Sequence, residues 1–295
     1  LIIVWFKRDL RMLDHGPLSD ACAKGEILPL YILEPDLWKQ PDVSYRHFLH
    51  LQHYLSQLDG MFIERGAKLV IKVGEALPVL KSLATRHNVK AIFSHYETWN
   101  KFSKDRDSAI RKWTDENSID WKEYQQNGVV RNLNSRDGWS TLWHSHMRKK
   151  IYEVPEKILC VSEDSDNLPS CQDMSLEFDG FEPNSNLGKI EPGIVLKSFL
   201  TERGENYQRE MSGPLLSADS CSRLSTHIAF GTISIRTIFQ RTQEQTQKKL
   251  DLVGDKLKNW RASYNSFQKR LRWHCHFIQK LEDLRSIEWK NIHPI

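Results

Sequence analysis

LIIVWFKRDLRMLDHGPL, residues 1–18, opens on the apolar run LIIVW, breaks into a charged stretch and returns to small and apolar residues after His15. A run that short and that continuously apolar suits a strand covered on both faces, and the stretch from about 17 to 24 reads as the helix that follows it. The same unit recurs outward along the chain. ILPLYIL (27–33), KLVIKV (68–73) and KAIFSHY (90–96) read as strands, DWKEY (120–124) as a possible fifth, and amphipathic helical stretches lie at about 44–65, 77–87 and 101–117. Strands alternating with helices through short connections predict an α/β domain over 1–130 with a doubly wound, mostly parallel sheet.

In such a sheet ligands dock outside the carboxyl ends of the strands. The loops there are FKRDLRMLDH after the first strand, ETWNKFSKDRD after the fourth and QQNGVVR after the possible fifth. They contain neither GxGxxG nor GxxxxGK[ST], which speaks against a dinucleotide dehydrogenase and a P-loop NTPase. Residues 129–150 read as a further, Trp-rich helix. Residues 152–190 lose periodicity and read as a long connection, packed over the surface or mobile. Helical patterns resume at 193–212, 232–245 and 257–282, so the expected plan is an interdomain helix and linker over 131–192 and a helical domain over 193–295.

A chain of 295 residues suits two domains, and 39% apolar with 27% charged residues marks a globular protein. The opening apolar run is too short for a signal or a membrane span, giving a cytoplasmic expectation with no membrane partner. Cysteines 22, 160, 171, 221 and 275 form no CxxC pair, so free thiols are expected. The net charge of +4 is uneven: residues 201–295 carry 16 Lys and Arg against 10 Asp and Glu, a balance of +6, leaving −2 for residues 1–200. A polyanionic partner or a phosphate-bearing cofactor would sit on the positive part, although such a face is often only solvated. The chain starts with Leu inside a strand pattern and ends on Ile295 without a capping element, so both ends read as cut.

Within the positive part, CSRLSTHIAFGTIS (221–234) sets hydroxyl residues and Arg223 before an apparent helix start. Unpaired N–H groups at a helix start, with hydroxyls and a guanidinium beside them, can hold a phosphate. An ordinary N-cap at Ser225 or Thr226 with Arg223 in solvent explains the same residues. From Lys256 to Lys280 there are seven Lys or Arg and no acidic residue. Trp260, Tyr264, Phe267, Leu271 and Ile278 follow helical spacing, which reads as a core stripe for Trp260, Tyr264 and Leu271. Phe267, Arg270 and His274 are the candidates for a stacking, electropositive nucleic-acid surface. WHCH (273–276) is not expected to bind a metal, because neighbouring helix positions point about 100° apart.

Three stretches in order resemble the DNA photolyase and cryptochrome family. IVWFKRDLRMLDHGPL resembles the family's W-F-[RK]-R-D-L-R-x-x-D-N-x-x-L, with His15 in the Asn place. Tyr207, Pro214 and SCSRLSTHIAFGTIS resemble its flavin segment, T-S-R-L-S-P-x-L-x-x-G, with Cys221 for Thr and Thr226 for Pro. RLRWHCHFIQK resembles its following helix, W-x-x-E-x-x-W-R, with Arg270 in the Glu place and His274 in the Arg place.

The resemblance implies a Rossmann-like domain followed by an incomplete helical FAD-binding domain. It implies FAD at Tyr207, Cys221, Ser222, Arg223, Leu224 and Ser225, and an antenna chromophore of folate or deazaflavin type in the first domain. The implied activity is that of a deoxyribodipyrimidine photolyase-like lyase: electron transfer from light-excited reduced FAD to a flipped-out pyrimidine dimer in ultraviolet-damaged single- or double-stranded DNA, by a monomer. A chain ending here would lack part of the flavin pocket and be inactive alone. A cryptochrome-like blue-light photoreceptor is the alternative, favoured by Arg270, since an arginine cannot act as a carboxylic acid does. A nucleotide-binding α/β protein with an unrelated helical appendage would explain residues 1–125 but not the run from Tyr207 to Ser225.

Overall fold

The structure is a computed structural model describing residues 1–178, 180, 188–251 and 253–293. The described chain divides into two compact units: residues 1–126, 152–178, 180 and 286–293 form the first, and 127–151 with 188–285 the second. The stretch 131–192, read from sequence as one interdomain piece, is therefore divided between them, and residues 286–293 return to the first unit.

The first unit holds β1 (Ile2–Phe6), α1 (Gly16–Cys22), β2 (Ile27–Leu33), α2 (Tyr45–Ile63), β3 (Val70–Val73), α3 (Ala76–His87), β4 (Ala91–His95), α4 (Lys101–Glu116) and β5 (Asp120–Tyr124). Every strand pairing is parallel, and the order is β3-β2-β1-β4-β5. The sheet is doubly wound, as the alternation of strands and helices predicts. β2 is buried at every position, which follows from its lying inside the sheet with helices on both faces. Packed against β1, β2 and β4, the helices supply Leu80, Leu83, Ile110 and Trp113.

The second unit holds α5 (Trp139–Met147), α6 (Pro192–Thr201), α7 (Tyr207–Glu210), α8 (Ser217–Ser220), α9 (Ser225–Phe230), α10 (Ile235–Lys248) and α11 (Gly254–Asp283). The Trp-rich helix expected over 129–150 is confined to α5. Gly138, at φ 75, stands at its start, in a left-handed conformation that glycine adopts without steric cost. The stretch 193–212 is three short pieces, α6, a 3-10 turn over Arg203–Asn206 and α7, rather than one helix, and it breaks at Glu202 with φ −129 and ψ −71. α10 starts where the Ser234 hydroxyl accepts the Thr237 N–H at 2.9 Å, an ordinary N-cap.

α11 buries Trp260, Tyr264, Phe267, Leu271, Cys275 and Gln279, a stripe advancing by three or four residues. Gln279 fastens the segment before α5 to it. Its Oε1 accepts from Val130 N at 2.7 Å and Trp139 Nε1 at 3.0 Å, and its Nε2 donates to Val130 O at 2.9 Å. No described helix is long and apolar enough to cross a membrane.

Candidate functional site

The residues from Tyr207 to His274 all lie in the second unit, around the N-terminal two-thirds of α11. α7 sets the Tyr207 ring, 7% exposed, edge-on to Phe199 and Phe267 with centroids 5.4 and 5.9 Å away. Burial raises the Tyr207 pKa, while the nearby Arg270 of α11 opposes the shift. The exposed Arg270 guanidinium also stacks 5.0 Å from the Trp273 ring centre.

Between α8 and α9 the chain passes through Cys221–Leu224. Arg223 takes φ +61, the left-handed region that costs a side-chain-bearing residue about 1 kcal/mol or more. Its exposed guanidinium donates through Nε, at 2.7 Å, and through Nη2 to the Ala218 carbonyl. α9 begins at Ser225, with Leu224 in the cap position and no side-chain cap. The N-cap expected at Ser225 or Thr226 is thus not formed, because the helix starts one residue earlier than that reading requires.

Leu224 is fully buried in the core of the second unit, and Cys221 packs partly buried against that core. Ser222 is half-buried and Ser225 exposed. Tyr207 and Cys221 lie close enough for their charges to interact. Ser222 and Ser225 carry hydroxyls, and Nη1 of Arg223 has no acceptor among the described residues, the kinds of donor that a diphosphate takes. That chemistry fits the phosphate end of a dinucleotide such as FAD. The thiol at Cys221 is a weaker donor than a hydroxyl.

Phe267 offers no open stacking face: it is 4% exposed, with Phe199 4.7 Å away between ring centres. It falls on the same buried stripe as Trp260, Tyr264 and Leu271, so the expected stacking surface does not include it. Arg270 and His274 lie one turn apart, exposed and half-buried. His276 leaves the WHCH run toward another neighbour, its Nδ1 2.8 Å from Arg136 Nη2.

The sequence reading missed Arg203. Its half-buried guanidinium reaches Ser198 Oγ at 2.6 Å, Asp219 O at 2.9 Å, Cys221 O at 2.6 Å and Ser222 O at 3.3 Å. No spacing rule finds such a residue, because its partners are backbone carbonyls up to 19 positions away.

In the first unit, ligand chemistry is expected at the switch point between β1 and β4. There Asp9 Oδ2 meets His15 Nε2 at 2.9 Å and His95 Nδ1 at 2.6 Å, and Asp9 Oδ1 accepts from Lys7 N at 2.7 Å. Burial and the Asp9 partnership act oppositely on both imidazoles. Burial prevails, lowering the His15 pKa and bringing His95 to about 3, while the two rings hold the Asp9 carboxyl well below its usual range against its own burial.

The three side chains have metal-ligand composition. However, His15 Nδ1 accepts the Leu18 N–H at 3.1 Å, so in the neutral ring Nε2 carries the proton and has no lone pair for a metal. The trio is a hydrogen-bonded anchor for the loop after β1. Beside it, buried Arg106 pairs with Glu34 at 2.7 Å, Glu97 at 3.0 Å and Asp107 at 2.8 Å. These side chains are paired with one another at the carboxyl end of the sheet.

The DNA photolyase family model matches residues 2–138. The deoxyribodipyrimidine photo-lyase of Salmonella typhimurium is 23% identical over 274 residues, covering 84% of this chain and 55% of that protein. Cryptochrome DASH of Arabidopsis thaliana is 23% identical over 289 residues, covering 84% of this chain and 48% of that protein. Among solved structures, the Synechocystis sp. PCC6803 cryptochrome superposes with a TM-score of 0.77 at 21% identity, over 95% of this chain and 61% of that one. The chain spans about half the length of the curated relatives it matches.

Proposed function

The chain belongs to the DNA photolyase and cryptochrome family, and on that premise we propose that it is part of a flavoprotein that binds FAD through Tyr207 and Cys221–Ser225 and repairs pyrimidine dimers in DNA under light. The observation that carries this reading is the junction of Tyr207, the 221–225 turn and Arg270 of α11 in one unit. Bound FAD would supply the light-driven electron. Ser222, Arg223 and Ser225 would bind and orient its diphosphate. The Tyr207 hydroxyl, beside Arg270, would border the flavin side, and the buried Phe267 beneath would keep that wall dry. Arg270 and His274 would take the phosphates of DNA carrying the lesion, Phe267 supporting them from below.

A repair-free photoreceptor is the second reading. Its specific support is that α11 offers Arg270 to Tyr207 and Trp273 and carries no carboxylate between Lys256 and Lys280. An arginine stays charged and donates only, so it cannot give up a proton to a substrate radical anion as a carboxylic acid can.

Flavin absorption of the purified full-length protein, followed by blue-light illumination with dimer-bearing DNA, separates the two readings. Restored bases support repair. Bound flavin with untouched lesions supports the photoreceptor, and protein that binds no flavin overturns both. Arg223→Ala is expected to weaken flavin retention by about 1.5–3 kcal/mol, the size of a charge-assisted hydrogen bond, read as the dissociation constant from flavin fluorescence.

A further inference from the structure

We infer that Arg203 is the positioning residue of the 221–225 turn, setting from behind the backbone that faces the flavin diphosphate; this rests on the flavin reading above. Arg203 follows α6 and precedes α7, in the second unit with the turn. Its guanidinium is committed to protein acceptors on every nitrogen. Nε donates to Ser198 Oγ at 2.6 Å, Nη1 to Asp219 O at 2.9 Å and Cys221 O at 2.6 Å, and Nη2 to Ser222 O at 3.3 Å and Val195 O at 3.4 Å. Three of those carbonyls belong to the end of α8 and the start of the turn.

A peptide plane is rigid, with its N–H directed opposite its C=O. Drawing the Cys221 and Ser222 carbonyls toward Arg203 therefore turns the Ser222 and Arg223 N–H groups away from it. Arg203 thus also fixes the peptide that leads into the left-handed conformation of Arg223. Two successive carbonyls pointing one way would otherwise repel each other, and a planar cation with several donors is the group that can hold them. The guanidinium has paired its donors on the protein, so it acts through the turn and not by touching the cofactor. A lysine offers the charge without the planar fork and cannot reach all these acceptors at once.

The test is to titrate the purified full-length protein, Arg203→Ala and Arg203→Lys with FAD and with riboflavin, which has the ring and ribityl chain but no phosphate. Far-ultraviolet circular dichroism and unfolding midpoints are read without flavin. For Arg203→Ala, FAD affinity is expected to fall roughly 10- to 100-fold with riboflavin affinity little changed. Arg203→Lys should lie between, and millimolar guanidinium should restore part of the loss in Arg203→Ala. If Arg203→Ala does not fold, the FAD-to-riboflavin ratio of Arg203→Lys decides.

Equal losses for both ligands, which a merely structural role gives, or unchanged FAD affinity, overturn the inference while leaving the flavin reading intact. If the unsubstituted protein binds neither ligand, the flavin reading itself fails and the inference with it.

Discussion

Asp9 shows how much one buried side chain decides in this protein. The carboxylate ties together the loop after β1, the start of α1 through His15 and the end of β4 through His95, all within the interior. The two histidines are held neutral in the fold, because burial disfavours their charged form more than Asp9 favours it. A group whose folded pKa is depressed contributes stability above its unfolded value and loses it as pH falls toward the folded one. For His95 that window runs from 6.5 down to about 3. Between pH 7 and 5 the protein is expected to lose about 2 kcal/mol through this histidine alone. His95→Gln keeps a donor toward Asp9 but does not titrate, so its urea midpoint should change less across that interval. An equal change in the two proteins would mean that His95 is charged in the fold. The aspartate and His15 were legible in the opening stretch as a pattern. Their partnership with His95 was not, because it joins positions 86 residues apart.

At the scale of elements, the stretch after residue 152 is the one of which the structure says most beyond its sequence. Its lost periodicity reads as a surface connection, and the structure shows why periodicity is absent: much of it is a strap bonded to sheet backbone rather than an element with a face of its own. Ile27 N donates to Leu159 O and Val161 N to Ile27 O. Ile71 N donates to Ser165 Oγ at 3.1 Å, and Val73 N to Asp166 Oδ2 at 2.8 Å. β3 is an edge strand, and the strap satisfies backbone groups that an edge would leave open. Residues 179 and 181–187 of the expected connection lie outside the described residues.

Glu163 locks the strap. Its carboxylate meets Lys72 Nζ at 2.7 Å, His87 Nε2 at 2.6 Å and the Arg86 guanidinium. Burial would raise its pKa, yet the three partners hold it at about 2. The contribution is therefore present above the usual carboxylate value and lost as pH falls toward about 2. Glu163→Gln is expected to cost about 1.5–3 kcal/mol and to speed proteolytic nicking within 152–178. Unchanged nicking and an unchanged unfolding midpoint at pH 7 would show that the ion pairs do not hold the strap.

At the scale of the whole molecule, the positive balance of residues 201–295 falls mainly on the unit that holds the candidate flavin turn and α11. A surface that neutralises phosphates makes affinity fall with salt, by one counterion release per contact. Arg270→Ala is expected to weaken binding of single-stranded DNA and to reduce the slope of log affinity against log salt by about 1. If neither quantity moves, Arg270 serves Tyr207 and Trp273 only, which favours the photoreceptor reading. The two-unit plan was legible because helical and strand periods differ. The return of residues 286–293 to the first unit was not, since no local pattern records which unit a terminal segment joins.

The sequence by itself determined the alternation of strands and helices, the parallel sheet, the buried stripe of α11 and the three stretches that carry the family resemblance. Each is written in local periodicity or in neighbouring residue types. Only the tertiary structure decided that Phe267 is sealed against Phe199 and Tyr207, that the switch point is packed with charged side chains, and that Arg203 holds the turn at 221–225. These depend on contacts between distant positions, where burial and hydrogen-bond satisfaction are settled by what the fold brings alongside.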